Sequence, residues 1–289
     1  MMKEELKKQI DFFIRKTKFN EEFEKYREKN SSVDELETAI KFSIDCAYGT
    51  AKRTFKNVKK SESAKSNLKD KALKYFKSEI FPDTQKVFDE KHGEMCEAWR
   101  NGLGKDESDN NRTYGKAQKV VNMMFKYMYC CRHLNKISIP EEAFKYCHMT
   151  LDSYTLKWIS DVWEKGVGKK AKIIKSDTTW SKLDDDKYKK IVGLIEDKIK
   201  NPKTNEYDFT GYKKIESEFF IWDYEKFIEA LKYMKKIMVS YKDHKDEDLK
   251  SLGEASGELV KTAKEIIEKQ TIKIIPDFDD EKDNDSFLK

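Results

Sequence analysis

The stretch Tyr114-Gly115-Lys116-Ala117-Gln118-Lys119-Val120-Val121-Asn122-Met123-Met124-Phe125-Lys126-Tyr127-Met128-Tyr129-Cys130-Cys131 decides the fold class of this chain. Val120, Val121, Met124, Phe125, Met128 and Cys131 fall at helical spacing, so the side of the helix that carries them is expected to be buried. Lys119, Asn122 and Lys126 lie on a different face. Similar apolar periods recur along the 289 residues, and only 4 Pro and 11 Gly interrupt them. So few turn formers predict an all-α, multi-helix protein rather than a turn-rich β fold.

On the N-terminal side, residues 4–28 read as one charged helix with Ile10, Phe12, Phe13, Phe19 and Phe23 on its apolar side. Ser32-x-x-Glu35 is a capping-box pattern that opens a second helix through Leu36, Ile40, Phe42 and Ile44. Lys52, Arg53, Lys56, Lys59 and Lys60 make the following stretch basic. Residues 61–67 read as a Ser/Ala/Lys connector, 68–80 and 84–100 as helices, and 101–111 as a loop. On the C-terminal side, Asp152 opens a helix that runs through Trp163, followed by a basic glycine loop at Glu164–Lys175. Helices are then expected over 180–200, 219–238 and 249–270, with a break at Asn201-Pro202. Residues 1–275 are expected to form one helical domain, divisible into two lobes around a cleft, and 276–289 a disordered acidic tail.

Hydrophobic residues make up 38% of the chain and charged residues 39%, while 17 Phe, 14 Tyr and 5 Trp argue against general disorder. The net charge of +5 is uneven, because the tail from Pro276 carries −4 and leaves +9 on the rest. A basic body suits a polyanionic partner, since phosphate neutralisation supplies most non-specific affinity for nucleic acid. A lysine-rich surface that is merely solvated is the alternative reading of the charge. Cys46, Cys96, Cys130, Cys131 and Cys147 form no Cys-x-x-Cys, and the four histidines are isolated, so no metal or cofactor is expected. No signal-like segment or membrane-length apolar run occurs. The expected setting is therefore the cytoplasm, in association with the nucleoid if the partner is DNA.

Lys119 and Asp152, 33 positions apart, each stand near a predicted helix start. An amine must be neutral to attack carbon, and a helix N-terminus and apolar surroundings are two devices that favour the neutral form. An aspartate held by capping N–H groups stays fixed and ionised, and such a carboxylate can stabilise an oxocarbenium-like centre or relay a proton. Read singly, each residue has a plainer account: a solvated or phosphate-contacting lysine, and a helix cap.

Their joint pattern adds to this. Gly115-x-Ala117-Gln118-Lys119-x-x-Asn122 followed by His148-x-x-x-Asp152 resembles the helix-hairpin-helix DNA glycosylases, in particular the archaeal-type 8-oxoguanine DNA glycosylases and their bacterial relatives. Glu216-Ser217-Glu218-Phe219-Phe220-Ile221-Trp222 is similar as well, and the resemblance spans roughly residues 36–240. It implies a two-lobed glycosylase-like architecture acting on double-stranded DNA without a cofactor or an obligatory protein partner. Lys119 would attack C1′ of an everted nucleotide and form a Schiff base, with Asp152 stabilising the sugar cation and assisting deprotonation of Lys119. Gly115, Lys116 and Gln118 would contact the DNA backbone at the helix start.

From the residues themselves, Lys52 and Arg53 are further candidates for backbone contacts. Tyr154, Trp158, Phe219 and Trp222 are candidates for stacking on the base, although aromatic stripes at helical spacing more often belong to cores. His148 is either a phosphate or base contact or a buried, satisfied histidine. The implied substrate is 8-oxoguanine or another modified base, including a phage hypermodified one, which places the activity in DNA repair or anti-phage defence. A non-catalytic helical DNA-binding module is the alternative. An interaction factor whose acidic tail mimics DNA is a third reading.

Overall fold

The computed structural model describes residues 3–55, 58, 60–104, 112–164, 167, 171–175, 177–201 and 209–242. Every regular element among them is helical: α1 (Glu4–Thr17), α2 (Phe19–Lys29), α3 (Glu35–Ala51), α4 (Ser61–Phe76), α5 (Gln85–Gly102), α6 (Tyr114–His133), α7 (Ser153–Trp158), α8 (Asp185–Lys200) and α9 (Lys214–Lys242). Single 3-10 turns occur at Lys52–Thr54, Glu141–Phe144 and Trp180–Lys182, and a π-helical turn at Ile159–Trp163 continues α7. None of these helices is long and apolar enough to cross a membrane.

The chain falls into two compact units, Met1–Ile199 with Gly211–Asp223, and Lys200–Thr210 with Tyr224–Lys289. In the second unit the described part of α9 buries Glu225, Ile228 and Leu231. The helix expected over 249–270 and the acidic tail lie outside the described residues. All that follows concerns the first unit.

Helix α6 is its centre. Every residue from Gly115 to Cys131 is buried, so the helix is enclosed on all sides rather than along the one apolar side its pattern predicts. Helices α1, α3 and α5 and the Trp180–Lys182 turn pack around it. Lys119, Asn122 and Lys126 do lie off the apolar side, but inside the protein. Aromatic rings fill the gaps: Phe19 stacks on Tyr127 at 5.4 Å, and Phe125 meets Tyr75, Phe76 and Phe88 at 5.3 to 5.6 Å.

Three local expectations are corrected. The helix expected over 4–28 is broken at Lys18, whose φ of 54° is left-handed and whose N–H closes onto Arg15 O. Helix α3 is capped by Asp34, which accepts from Glu37 N at 3.1 Å, not by Ser32. The connector expected at 61–67 is the first half of α4, where Ala64, Leu68 and Ala72 form a buried stripe. Alanine is the strongest helix former, and the backbone at Ser63 and Ala64 packs so closely on Gly102 of α5 that a Cβ on residue 102 would have no room.

Candidate functional site

Thr113 caps α6 by accepting from Lys116 N, which puts Lys119 in the second turn of the helix. Only the first four N–H groups of a helix lack intrahelical partners, so Lys119 lies beyond the helix start expected for it. What surrounds its amine is tertiary. Nζ is 3.6 Å from Asp152 Oδ2 and 4.3 Å from the centre of the Trp180 ring. Both members of the ion pair are largely withdrawn from solvent, with 11% and 14% of their side chains exposed.

Asp152 is the N-cap of α7 in a complete capping box. Its Oδ1 accepts from Tyr154 N at 2.9 Å and Thr155 N at 3.1 Å, which leaves Oδ2 directed at Lys119. Thr155 Oγ1 accepts from Asp152 N at 2.8 Å and donates to Thr150 O at 2.7 Å. The preceding segment is tied to α6 through side-chain amides. Gln118 Nε2 donates to Leu151 O at 3.1 Å, and Asn122 Nδ2 donates to Met149 O at 3.1 Å. The carboxylate is therefore fixed by its own cap and by the same helix that carries the lysine.

Those amides belong to a buried network. The two N–H of Asn122 Nδ2 are shared between Met149 O and the oxygens Gln118 Oε1 and Tyr188 Oη, the last two each at 3.0 Å, and Oδ1 accepts from His92 Nε2 at 2.8 Å. Tyr188 donates to His148 Nδ1, and His148 Nε2 donates to Asp89 Oδ1, both at 2.8 Å. Burial raises the Asp89 carboxyl, but hydrogen bonds from His148 and Gln85 outweigh it and hold the group below its ordinary value.

A second buried pair lies two turns further along α6. Lys126 Nζ donates to Glu218 Oε1 at 2.8 Å, with 1% and 3% of the side chains exposed. Phe13, Phe219 and Trp222 surround the ammonium at 4.4, 4.6 and 5.9 Å. Glu218 Oε2 accepts from Thr150 N at 2.7 Å. Burial pushes the Glu218 carboxyl up against the pull of Lys126. Removing one partner of such a pair strands a buried charge, so Lys126→Met is expected to cost about 3–5 kcal/mol by urea denaturation. Lys126→Met/Glu218→Gln, which keeps an acceptor for Thr150 N, should recover most of that loss. A single variant as stable as the parent would show that the pair carries no such strain.

Several candidates are committed elsewhere. Gly115, expected at a phosphate, donates its N–H to Leu183 O at 2.8 Å, and a Cβ there would lie 1.9 Å from Trp180 O. Lys116 is buried and donates to Thr54 O at 2.5 Å. Gln118 is buried in the network above, and so is His148, the buried and satisfied histidine of its two readings. Trp158 and Phe219 are core residues, Trp222 is half-buried against Phe13 at 5.1 Å, and Tyr154 is half-buried on α7. Lys52 and Arg53 are exposed in the 3-10 turn that also carries Thr54, the partner of Lys116. Trp180, Lys126 and Glu218 were missed. Lys126 had a signal, a lysine inside an apolar helical run, whereas Trp180 is brought to Lys119 only by the tertiary fold.

The bare Cα of Gly115 gives a second expected result. Gly115→Ala must displace backbone rather than a flexible side chain, which costs about 1–3 kcal/mol as overpacking and takes Trp180 off Lys119. Urea denaturation with tryptophan fluorescence reads both effects, and an unchanged midpoint would contradict the close approach.

Among the described residues no three His, Cys, Asp or Glu side chains gather as a metal-binding group. No protein-family model, curated protein or solved structure matches the chain.

Proposed function

We propose that this protein is a DNA glycosylase with lyase activity at abasic sites, acting through Lys119 and Asp152. The observation that carries the reading is the pair itself: an amine and a capped carboxylate 3.6 Å apart, largely shielded from water, beside an aromatic face. Asp152 takes a proton from Lys119, and the free amine attacks C1′ of an everted nucleotide as the bond from C1′ to the base breaks. The departing base carries off the electron pair of that bond and receives the proton from Asp152. Opening of the sugar ring then gives the Schiff base, from which the 3′ phosphate is eliminated after loss of a C2′ proton. Once it has passed its proton to the base, Asp152 is ionised again and stabilises the positive charge on the iminium carbon of the opened sugar.

Lys52 and Arg53, exposed near the first turn of α6, are the proposed contacts to the DNA backbone. The base that is removed is proposed to be 8-oxoguanine or another modified base.

The experiment is borohydride trapping on duplexes bearing an abasic site or a single modified base. The reading expects a covalent protein–DNA adduct whose cross-linked peptide contains Lys119. Salt-sensitive binding with no adduct on any duplex would favour the non-catalytic DNA-binding module instead.

A further inference from the structure

The half-buried indole of Trp180 has one face on Lys119 Nζ at 4.3 Å. Its backbone is held tightly. Gly115 N donates to Leu183 O at 2.8 Å, Thr113 Oγ1 donates to Ser181 O at 2.6 Å, and Trp180 O lies where a Cβ of residue 115 would be. Beyond the turn Leu183 is buried, and Asp184 Oδ1 accepts from Lys187 N at 2.7 Å at the start of α8. The turn is thus fixed to the first turn of α6, the helix that carries Lys119.

Two facts about the chemistry bear on this ring. Lys119 must leave the indole face to reach a carbon, which exposes a π-face beside the nucleophile. A nucleobase is bonded directly to C1′, so a base resting on that face brings C1′ to within a few ångströms of the position Nζ has vacated, a distance the flexible lysine stem spans.

We infer that Trp180 is the stacking platform that positions the everted nucleobase for Lys119, exchanging the ammonium for the base. This rests on the glycosylase reading. Trp180 acts on the base and holds Lys119 against Asp152 until the base arrives. Base–aromatic stacking is tolerant of base identity, so the platform serves rate more than choice of lesion.

The test compares wild type, Trp180→Ala and Trp180→Phe by single-turnover borohydride trapping. One duplex carries a preformed abasic site; a panel carries single 8-oxoguanine, hypoxanthine, uracil or 5-hydroxymethyluracil. Trp180→Ala is expected to lose on the order of tenfold or more on the base-bearing duplex that wild type cleaves, relative to its loss on the abasic duplex. Trp180→Phe, which keeps a π-face, should recover most of that difference. Equal losses on both duplexes, or no loss, would overturn the platform and leave a structural role for Trp180. Wild type that traps abasic DNA but cleaves no base-bearing duplex overturns the platform while keeping Lys119 as a lyase. Absence of any adduct overturns the glycosylase reading itself.

Discussion

Lys119→Gln and Lys119→Arg should both fail to form the borohydride-trapped adduct, a loss of the whole signal rather than a reduced rate. Arginine keeps the positive charge near Asp152 and over Trp180, but its guanidinium is not a Schiff-base nucleophile at accessible pH. The two variants therefore separate the charge of Lys119 from its nucleophilicity. If Lys119 only contacted phosphate, Lys119→Arg would retain DNA binding and wild type would have formed no adduct. Adduct formation that survives either substitution would move the nucleophile to another lysine.

Asp152→Asn tests the other half of the pair with little structural disturbance. Asparagine caps helices about as well as aspartate, and its carbonyl oxygen can accept from Tyr154 N and Thr155 N as Asp152 Oδ1 does. A residue that serves only as a cap would thus tolerate the change. As proton acceptor and charge stabiliser, Asp152 should instead lose about 10²–10⁴-fold in the single-turnover rate. A rate within threefold of wild type, with the urea midpoint unchanged, would reduce Asp152 to a cap.

The helical class, the buried side of α6 and the capping role of Asp152 were legible because each depends on local spacing. The break at Lys18 was not, since the apolar period of 4–28 runs through it and only a left-handed lysine marks the turn. The connector misread at 61–67 shows composition outweighed by position: the same Ser/Ala/Lys residues form a helix once Ala64 has Gly102 to pack against. In the candidate site, two lone charged residues could be paired from helix starts and resemblance, but the polar residues beside them were assigned to DNA. Lys116 and Gln118 are buried instead, because α6 is covered on every side, and no local pattern in the chain announces that. Trp180 escaped for the opposite reason, as its role depends on a contact with a residue 61 positions away.

The four histidines looked isolated in sequence, yet two of them meet in the core and set the largest expected dependence of stability on pH. His92 and His148 have ring centres 4.6 Å apart, and His92 lies parallel to Tyr188 at 5.7 Å. The Nε2–H of His92 donates to Asn122 Oδ1, while Nδ1 lies 3.8 Å from the Cys96 thiol, a weak acceptor. A second proton there would be buried without a good acceptor, and burial, aided by the charge of His148, pushes His92 down from 6.5 to about 3. The unfolded chain takes up that proton near its ordinary value, so it binds more protons than the folded chain between these limits. Stability is therefore full above pH 6.5 and is lost as pH falls towards 3, by about 5 kcal/mol for this residue alone. His148, also depressed by burial, adds to the loss in the same direction. His92→Gln can still donate to Asn122 but does not titrate, so it should remove about one proton of uptake from unfolding and flatten the acid limb. Urea midpoints from pH 7 to pH 4 measure this, and equal slopes in parent and variant would contradict it. Because Asn122 and Gln118 also hold the carbonyls of Met149 and Leu151, the acid limb should coincide with loss of the ordered turn that carries Asp152.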